Sequence, residues 1–143
     1  SVHAIRNFLD TKIIQGALKE MKRVTQEGGR VIIVESLPSA TNRAQEAHLK
    51  MFNCKVRYTR GELPFFTEGE LANLLESAGL RRFHTETFDF NLSAAPPFFF
   101  LNTSTLPEER RAEAEREYNE AVEAVRKWGE TSPPALFVEA IVG

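Results

Sequence analysis

Residues 24–36 read VTQEGGRVIIVES, and the fold turns on how this stretch is read. Gly28 and Gly29 give access to positive φ, which a tight reversal from helix to strand needs and which other residues reach only at steric cost. A helix should therefore end near Gln26. Val31, Ile32, Ile33 and Val34 are consecutive and apolar rather than alternating, the pattern of a strand covered on both faces in a parallel α/β sheet. A run so short, bounded by glycines and Pro38, does not make a buried helix. In open α/β sheets ligands sit beyond the carboxyl ends of the strands, which puts Glu35 and Ser36 where a ligand is expected.

Working outward, Ile13, Ile14, Ala17, Leu18, Met21 and Val24 form a helical stripe from Thr11, with Asp10 placed as N-cap. Asn42 to Lys55 reads as a more polar helix, with Ala44, Ala47, Met51 and His48 on one side, lying across an opening rather than in the core. TEGELANLLESAGL carries a capping box, Thr67 with Glu70, and Gly79 as terminator of a helix from Glu68 to Ala78. A strand rich in Phe and Thr is expected over Arg82 to Phe90. Thr105 with Glu108 suggests a second capping box. It would open a helix of about 22 residues whose stripe is Ala114, Tyr118, Ala121, Val122, Val125 and Trp128. Pro133 and Pro134 stop that helix, and ALFVEAIV (135–142) closes the chain as a strand.

The chain has 143 residues, 42% hydrophobic, which suits one domain with a single core. A net charge of −2 with dispersed cations argues against a nucleic-acid partner. One cysteine, Cys54, forms no intrachain disulfide and no metal motif, and fits a reducing, cytoplasmic location; it reads as a small buried hydrophobe. No apolar run approaches the roughly 20 residues of a membrane span. The chain starts Ser1-Val2-His3 inside a segment patterned like the interior of a folded unit, which reads as a piece of a longer protein. No G-x-G-x-x-G occurs.

The run IRNFLDTKIIQGALKEMKRVTQEGGRVIIVES (5–36), with FFTEGELANLLESAGLRRF (65–83) after it, resembles the C-terminal half of class I S-adenosylmethionine-dependent methyltransferases. AIRNF (4–8) is similar to the methyltransferases of ubiquinone and menaquinone biosynthesis. The resemblance implies the second half of a doubly wound, Rossmann-like sheet with the last strand antiparallel, and an extra long helix before it. It implies S-adenosylmethionine as cofactor, with the cofactor-binding N-terminal half outside residues 1–143. It also implies methyl transfer to a small, apolar acceptor by a larger enzyme. The alternative left open is a non-catalytic remnant that serves in assembly or regulation.

By that resemblance His3 is the catalytic candidate, a base that takes a proton from the acceptor, while Arg6 and Asn7 approach the cofactor. The plainer reading is that His3 bonds backbone and that Arg6 and Asn7 cap the following helix. Glu35 and Ser36 are candidates for orienting substrate, although Glu35 would equally pair with a loop cation such as Arg43. His48, Met51, Phe52 and Tyr58, with Arg57 and Arg60 beside them, have the mixed chemistry of a pocket for an anionic or quinone-like head. PPFFFL (96–101) either fills the core or lines an acceptor site, and the charges of the long helix read as a solvated face with i,i+4 pairs. The partners expected are a small-molecule substrate, no nucleic acid and no membrane span. A second copy of the chain or the missing N-terminal half is expected at the exposed sheet edge.

Overall fold

The computed structural model describes residues 5–8, 10–59, 63–93 and 100–143. His3 and residues 96–99 of PPFFFL thus lie outside the described residues. The chain divides into two compact units, each with its own hydrophobic cluster, where length alone suggested one core. Unit 1 comprises Ser1–Pro38, Glu62–Asp89 and Pro134–Gly143; unit 2 comprises Ser39–Gly61 and Phe90–Pro133.

Unit 1 is a three-stranded sheet with helices on one face. Its elements are α1 (Thr11–Val24), β1 (Arg30–Ser36), α3 (Glu68–Ser77), β2 (Arg81–Phe88) and β3 (Ala135–Ile141). The strand order is β1-β3-β2, and β3 runs antiparallel to both neighbours, as expected for the last strand. β1 and β2 therefore point the same way without touching. Ile33 pairs Val138 and Val31 pairs Ala140, and these side chains join Ile14 and Leu18 of α1 and Leu71 and Leu75 of α3 in one cluster.

The expectation that β1 is buried on both faces is corrected. Burial alternates along it: Val31, Ile33 and Glu35 face the cluster, while Ile32 remains 43% exposed. The cause is the pairing, because an antiparallel neighbour with helices on one side leaves the other face of unit 1 without such cover. Arg30 pairs there with Glu139 at 2.5 Å, and Phe137 meets Phe88 edge to face. The Rossmann-like half thus reduces, among the described residues, to an α/β unit with a small antiparallel sheet.

The helix-to-strand reversal is built as the glycines suggested, but two residues earlier than expected. α1 stops at Val24, and Thr25 caps it, its hydroxyl donating to the Met21 carbonyl at 2.7 Å. Gly28 sits at φ +74°, and its N–H donates to Val142 O at 2.8 Å. Gly29 is required by space: a Cβ there would lie 2.6 Å from the Thr25 methyl. Asp10 caps α1 by accepting Lys12 N–H, and the Thr67–Glu70 capping box of α3 is complete. Gly79, at φ +76°, follows that helix.

Unit 2 pairs α2 (Arg43–Tyr58) with α4 (Glu108–Trp128). Arg57 near the end of α2 reaches Glu117 of α4 at 2.5 Å, whereas Arg43 at its start lies over Trp128 at the end of α4, so the helices run antiparallel. Ala114 and Ala121, two turns apart on one face, are small enough for Met51, Cys54 and Tyr58 of α2 to pack closely. α2 is therefore a core helix of this unit rather than a polar cover over an opening. Its Gln45 is fully buried, accepting from Thr41 N–H at 2.7 Å and donating to Ser132 O at 3.0 Å, which ties the two segments of the unit together.

The expected Thr105–Glu108 capping box does not form. α4 begins at Glu108 after Pro107 with no side-chain cap, and Thr105 belongs to a short 3-10 turn capped by Asn102. Thr105 donates instead to Asn102 O at 2.9 Å, which leaves its hydroxyl committed upstream. Within α4, Arg126 pairs with Glu123 at i,i+3.

Thr67→Ala removes the acceptor for Glu70 N–H. It is expected to destabilise the fold by about 1 kcal/mol. Urea unfolding checks this, and an unchanged midpoint contradicts it.

Candidate functional site

The carboxyl end of β1 is built by one buried hydrogen bond. Ile5 N–H donates to Glu35 Oε1 at 3.1 Å, and both residues are almost fully enclosed. A strand residue at period two must face either the core or the opposite side, and Glu35 shares the core face with Val31 and Ile33. A buried carboxylate needs donors, and the backbone of the Ile5–Asn7 3-10 turn supplies one. The candidates Arg6 and Asn7 are thereby brought to the strand end that carries Glu35 and Ser36. The spacing of these residues in sequence gave no sign of this contact.

Arg6 is held twice more. Its guanidinium lies 4.9 Å from the centroid of the Phe65 ring, and its carbonyl accepts Leu63 N–H at 3.3 Å. Asn7 is exposed and Ser36 half-buried. Arg43, the loop cation offered as a partner for Glu35, has its guanidinium on Glu46 at 2.8 Å. Through Oε1, Glu35 positions the turn that bears Arg6 and Asn7. Phe65, which steadies Arg6, is absent from the sequence reading; it stands two residues before the capping Thr67, where pattern alone says nothing of an arginine.

The remaining candidates belong to α2 in unit 2. Met51 and Tyr58 sit in the α2–α4 cluster, and Phe52 is buried as well. His48 differs: its Nδ1 lies 2.9 Å from Glu130 Oε2, with the Glu130 side chain only 3% exposed. Glu130, in the loop after α4, is a second residue that periodicity did not reveal.

Unit 2 also holds a cavity of about 560 Å³ at the end of α2, with Arg57, Tyr58 and Arg110 among its walls. Arg110 lies 5.2 Å from the Tyr58 ring centroid. Burial holds the Tyr58 hydroxyl above its ordinary range, and Glu117 keeps Arg57 firmly protonated. In unit 1 a groove of about 410 Å³ runs between α1 and α3 past Gln15, Phe66 and Leu74. No group of three or more metal-binding side chains occurs among the described residues. None of their helices is long and apolar enough to cross a membrane.

For S-adenosylmethionine, the described residues offer little of a built site: Glu35 is enclosed with Ile5 N–H on its Oε1, and the sequence has no G-x-G-x-x-G turn.

No family profile matches the sequence, and no curated protein matches it. Solved structures do. A cyclopropane-fatty-acyl-phospholipid synthase-like protein from Lactobacillus casei ATCC 334 aligns with 98% of the chain at a TM-score of 0.69 and 12% identity. The chain spans 53% of that protein, about half its length. A chain of the complex between the Haloferax volcanii Trm112 methyltransferase activator and its candidate methyltransferase aligns over 99%, at 17% identity and a TM-score of 0.44; the chain covers 52% of it. A candidate methyltransferase of Bacillus halodurans C-125 gives 99%, 15% and 0.49, with 62% of that protein covered. At these identities the likeness is one of fold, and it rests on the first structure.

Cys54 is 3% exposed, and burial pushes its thiol up to about 11, with Glu117 adding to the effect and Arg57 opposing it. Raising an acid's pKa depletes its anion at neutral pH, so alkylation of Cys54 should be slow there and accelerate up to pH near 11. The rate of thiol labelling against pH checks this; an inflection at or below the ordinary thiol value contradicts it.

Proposed function

We propose that the chain is the second half of a class I S-adenosylmethionine-dependent methyltransferase domain, acting on a small, apolar acceptor. One observation carries the reading. The chain, whose sheet has the order β1-β3-β2 with an antiparallel strand between two co-directional ones, aligns over 98% of its length with the Lactobacillus casei structure at a TM-score of 0.69. The phrases at 5–36 and 65–83 support the same reading at the level of sequence.

In this reading the cofactor, when bound, supplies the methyl electrophile. The residues of this chain do the rest of the alignment: the Ile5–Asn7 turn, fixed by Glu35, presents Arg6 and Asn7 at the strand end, and Ser36 stands beside them. His3 is the proposed proton acceptor where the acceptor atom carries a proton. His48 keeps a substrate-facing role through its imidazole, held in orientation by Glu130.

Calorimetry of residues 1–143 with S-adenosylmethionine should show no micromolar binding, because the groups that hold its methionine and ribose belong to the other half of the domain. Micromolar affinity would overturn that division. In the full-length enzyme His3→Gln should lower kcat about 100-fold while leaving the acceptor KM within a few-fold. Equal kcat in both proteins removes His3 from the mechanism.

The outer face of β1 carries the partner proposal. Ile32 is exposed there, and an exposed large apolar side chain favours association with another chain. Light scattering of the isolated chain should give a mass above 16.2 kDa, through association at that face. A monodisperse 16.2 kDa species refutes this.

A further inference from the structure

The cavity at the end of α2 is walled by Tyr58 and Arg57, which the sequence offered as part of a pocket for an anionic or quinone-like head, and adds to them residues that the sequence did not single out. Its volume of about 560 Å³ falls within the range of small-molecule pockets. Two of its walls are guanidinium groups, Arg57 and Arg110, and no carboxylate lines it among the described residues. Arg57 is partly committed, since one nitrogen binds Glu117 at 2.5 Å. Arg110 is not: its guanidinium has no ion pair or hydrogen bond to any described residue, and its carbon lies over the Tyr58 ring, 5.2 Å from the centroid.

A guanidinium drawn to an aromatic face by cation–π attraction keeps its N–H donors available, and these can grip an oxyanion with two parallel hydrogen bonds. The other walls are of a different kind. The Tyr58 ring, Leu106 and Pro107 are apolar, and the hydroxyls of Thr59 and Thr105 already donate to backbone carbonyls, at 2.6 and 2.9 Å. The nearby acids are Glu113 and Glu117, which act on the Tyr58 hydroxyl, and Glu108 and Glu109 in the first turn of α4. Glu117 is matched by Arg57, and Arg110 has no carboxylate partner among the described residues.

We propose that this cavity binds a small molecule carrying an oxyanion, a carboxylate or phosphate, on a flat apolar body. Arg110 is the principal contact, Arg57 the secondary one, and Tyr58, Leu106 and Pro107 enclose the apolar part. The described walls of the site all belong to unit 2, and the proposal deepens the substrate-pocket reading of Tyr58 and Arg57; its test reads anion binding alone, so its failure is distinguishable from failure of the methyl-transfer reading.

The test is a heteronuclear NMR titration of the 143-residue chain with benzoate, phenyl phosphate and methyl benzoate. Saturable shifts at the amides of Tyr58, Thr59, Leu106 and Arg110 are expected with benzoate or phenyl phosphate, and which binds tighter identifies the anion. Methyl benzoate, with the ring but no charge, should bind at least ~10-fold more weakly, and Arg110→Ala should weaken the anion by on the order of 10-fold. Arg110 is exposed, so the variant should keep a dispersed spectrum. Arg110→Gln, which retains the aliphatic stem, should show the same loss. Absence of saturable shifts with both anions, equal binding of methyl benzoate, or undiminished binding by both variants overturns the proposal.

Discussion

Everything in unit 1 depends on β3 lying between two strands that never meet. β1 and β2 each form an antiparallel ladder with it, and no hydrogen bond joins them directly. The backbone donors and acceptors on the inner sides of both strands are therefore satisfied only when the last segment of the chain arrives. The arrival is clamped at both ends: Val142 exchanges hydrogen bonds with Gly28 and Gly29 at one end of β1, and Leu37 N–H donates to Pro134 O at the other. The glycine pair thus serves the sheet twice, by turning α1 into β1 and by offering its backbone to β3.

The same constraint explains why unit 2 is discontinuous in sequence. The chain departs after the carboxyl end of β1 and again after β2, and must come back each time in a position to complete the sheet. The closure entropy of such long excursions grows only slowly with length, so they are tolerated if they pack on their own account. Unit 2 does so, with its alanine-faced helix pair and with Gln45 bonded to Thr41 and to Ser132 across the two segments. An amide buried with its partners in place specifies one register of the two segments, which apolar contacts alone would leave looser.

At the end of β1 a carboxyl group has been taken into the core to do structural work. Glu35 faces the apolar cluster and holds the Ile5 N–H, so the turn bearing Arg6 and Asn7 is set by a residue thirty positions away. Arg6 is then steadied from a third segment by Phe65 and Leu63. Three separate stretches of sequence meet at one strand end, the place where α/β folds present their chemistry.

What the sequence determined by itself is local. The glycine turn, the Asp10 cap, the Thr67–Glu70 box, the amphipathic stripes of α1, α3 and α4 and the three strands all rest on φ preferences, capping chemistry and periodicity, which act over a few residues. Cys54 as a buried thiol was legible for the same reason. The tertiary structure decided the rest. VIIV read as a strand covered twice, but burial follows from which neighbours assemble around it, and they covered one face of it within unit 1. The polarity of α2 suggested a surface helix, yet its few apolar residues meet the small face of a helix more than fifty residues on. Thr105 had the spacing of a cap and turned instead into the preceding 3-10 turn. Glu35 with Ile5, His48 with Glu130 and Arg110 with Tyr58 are contacts between residues far apart in the chain. No periodic pattern encodes such pairs, because they exist only once two independently formed elements have been brought side by side.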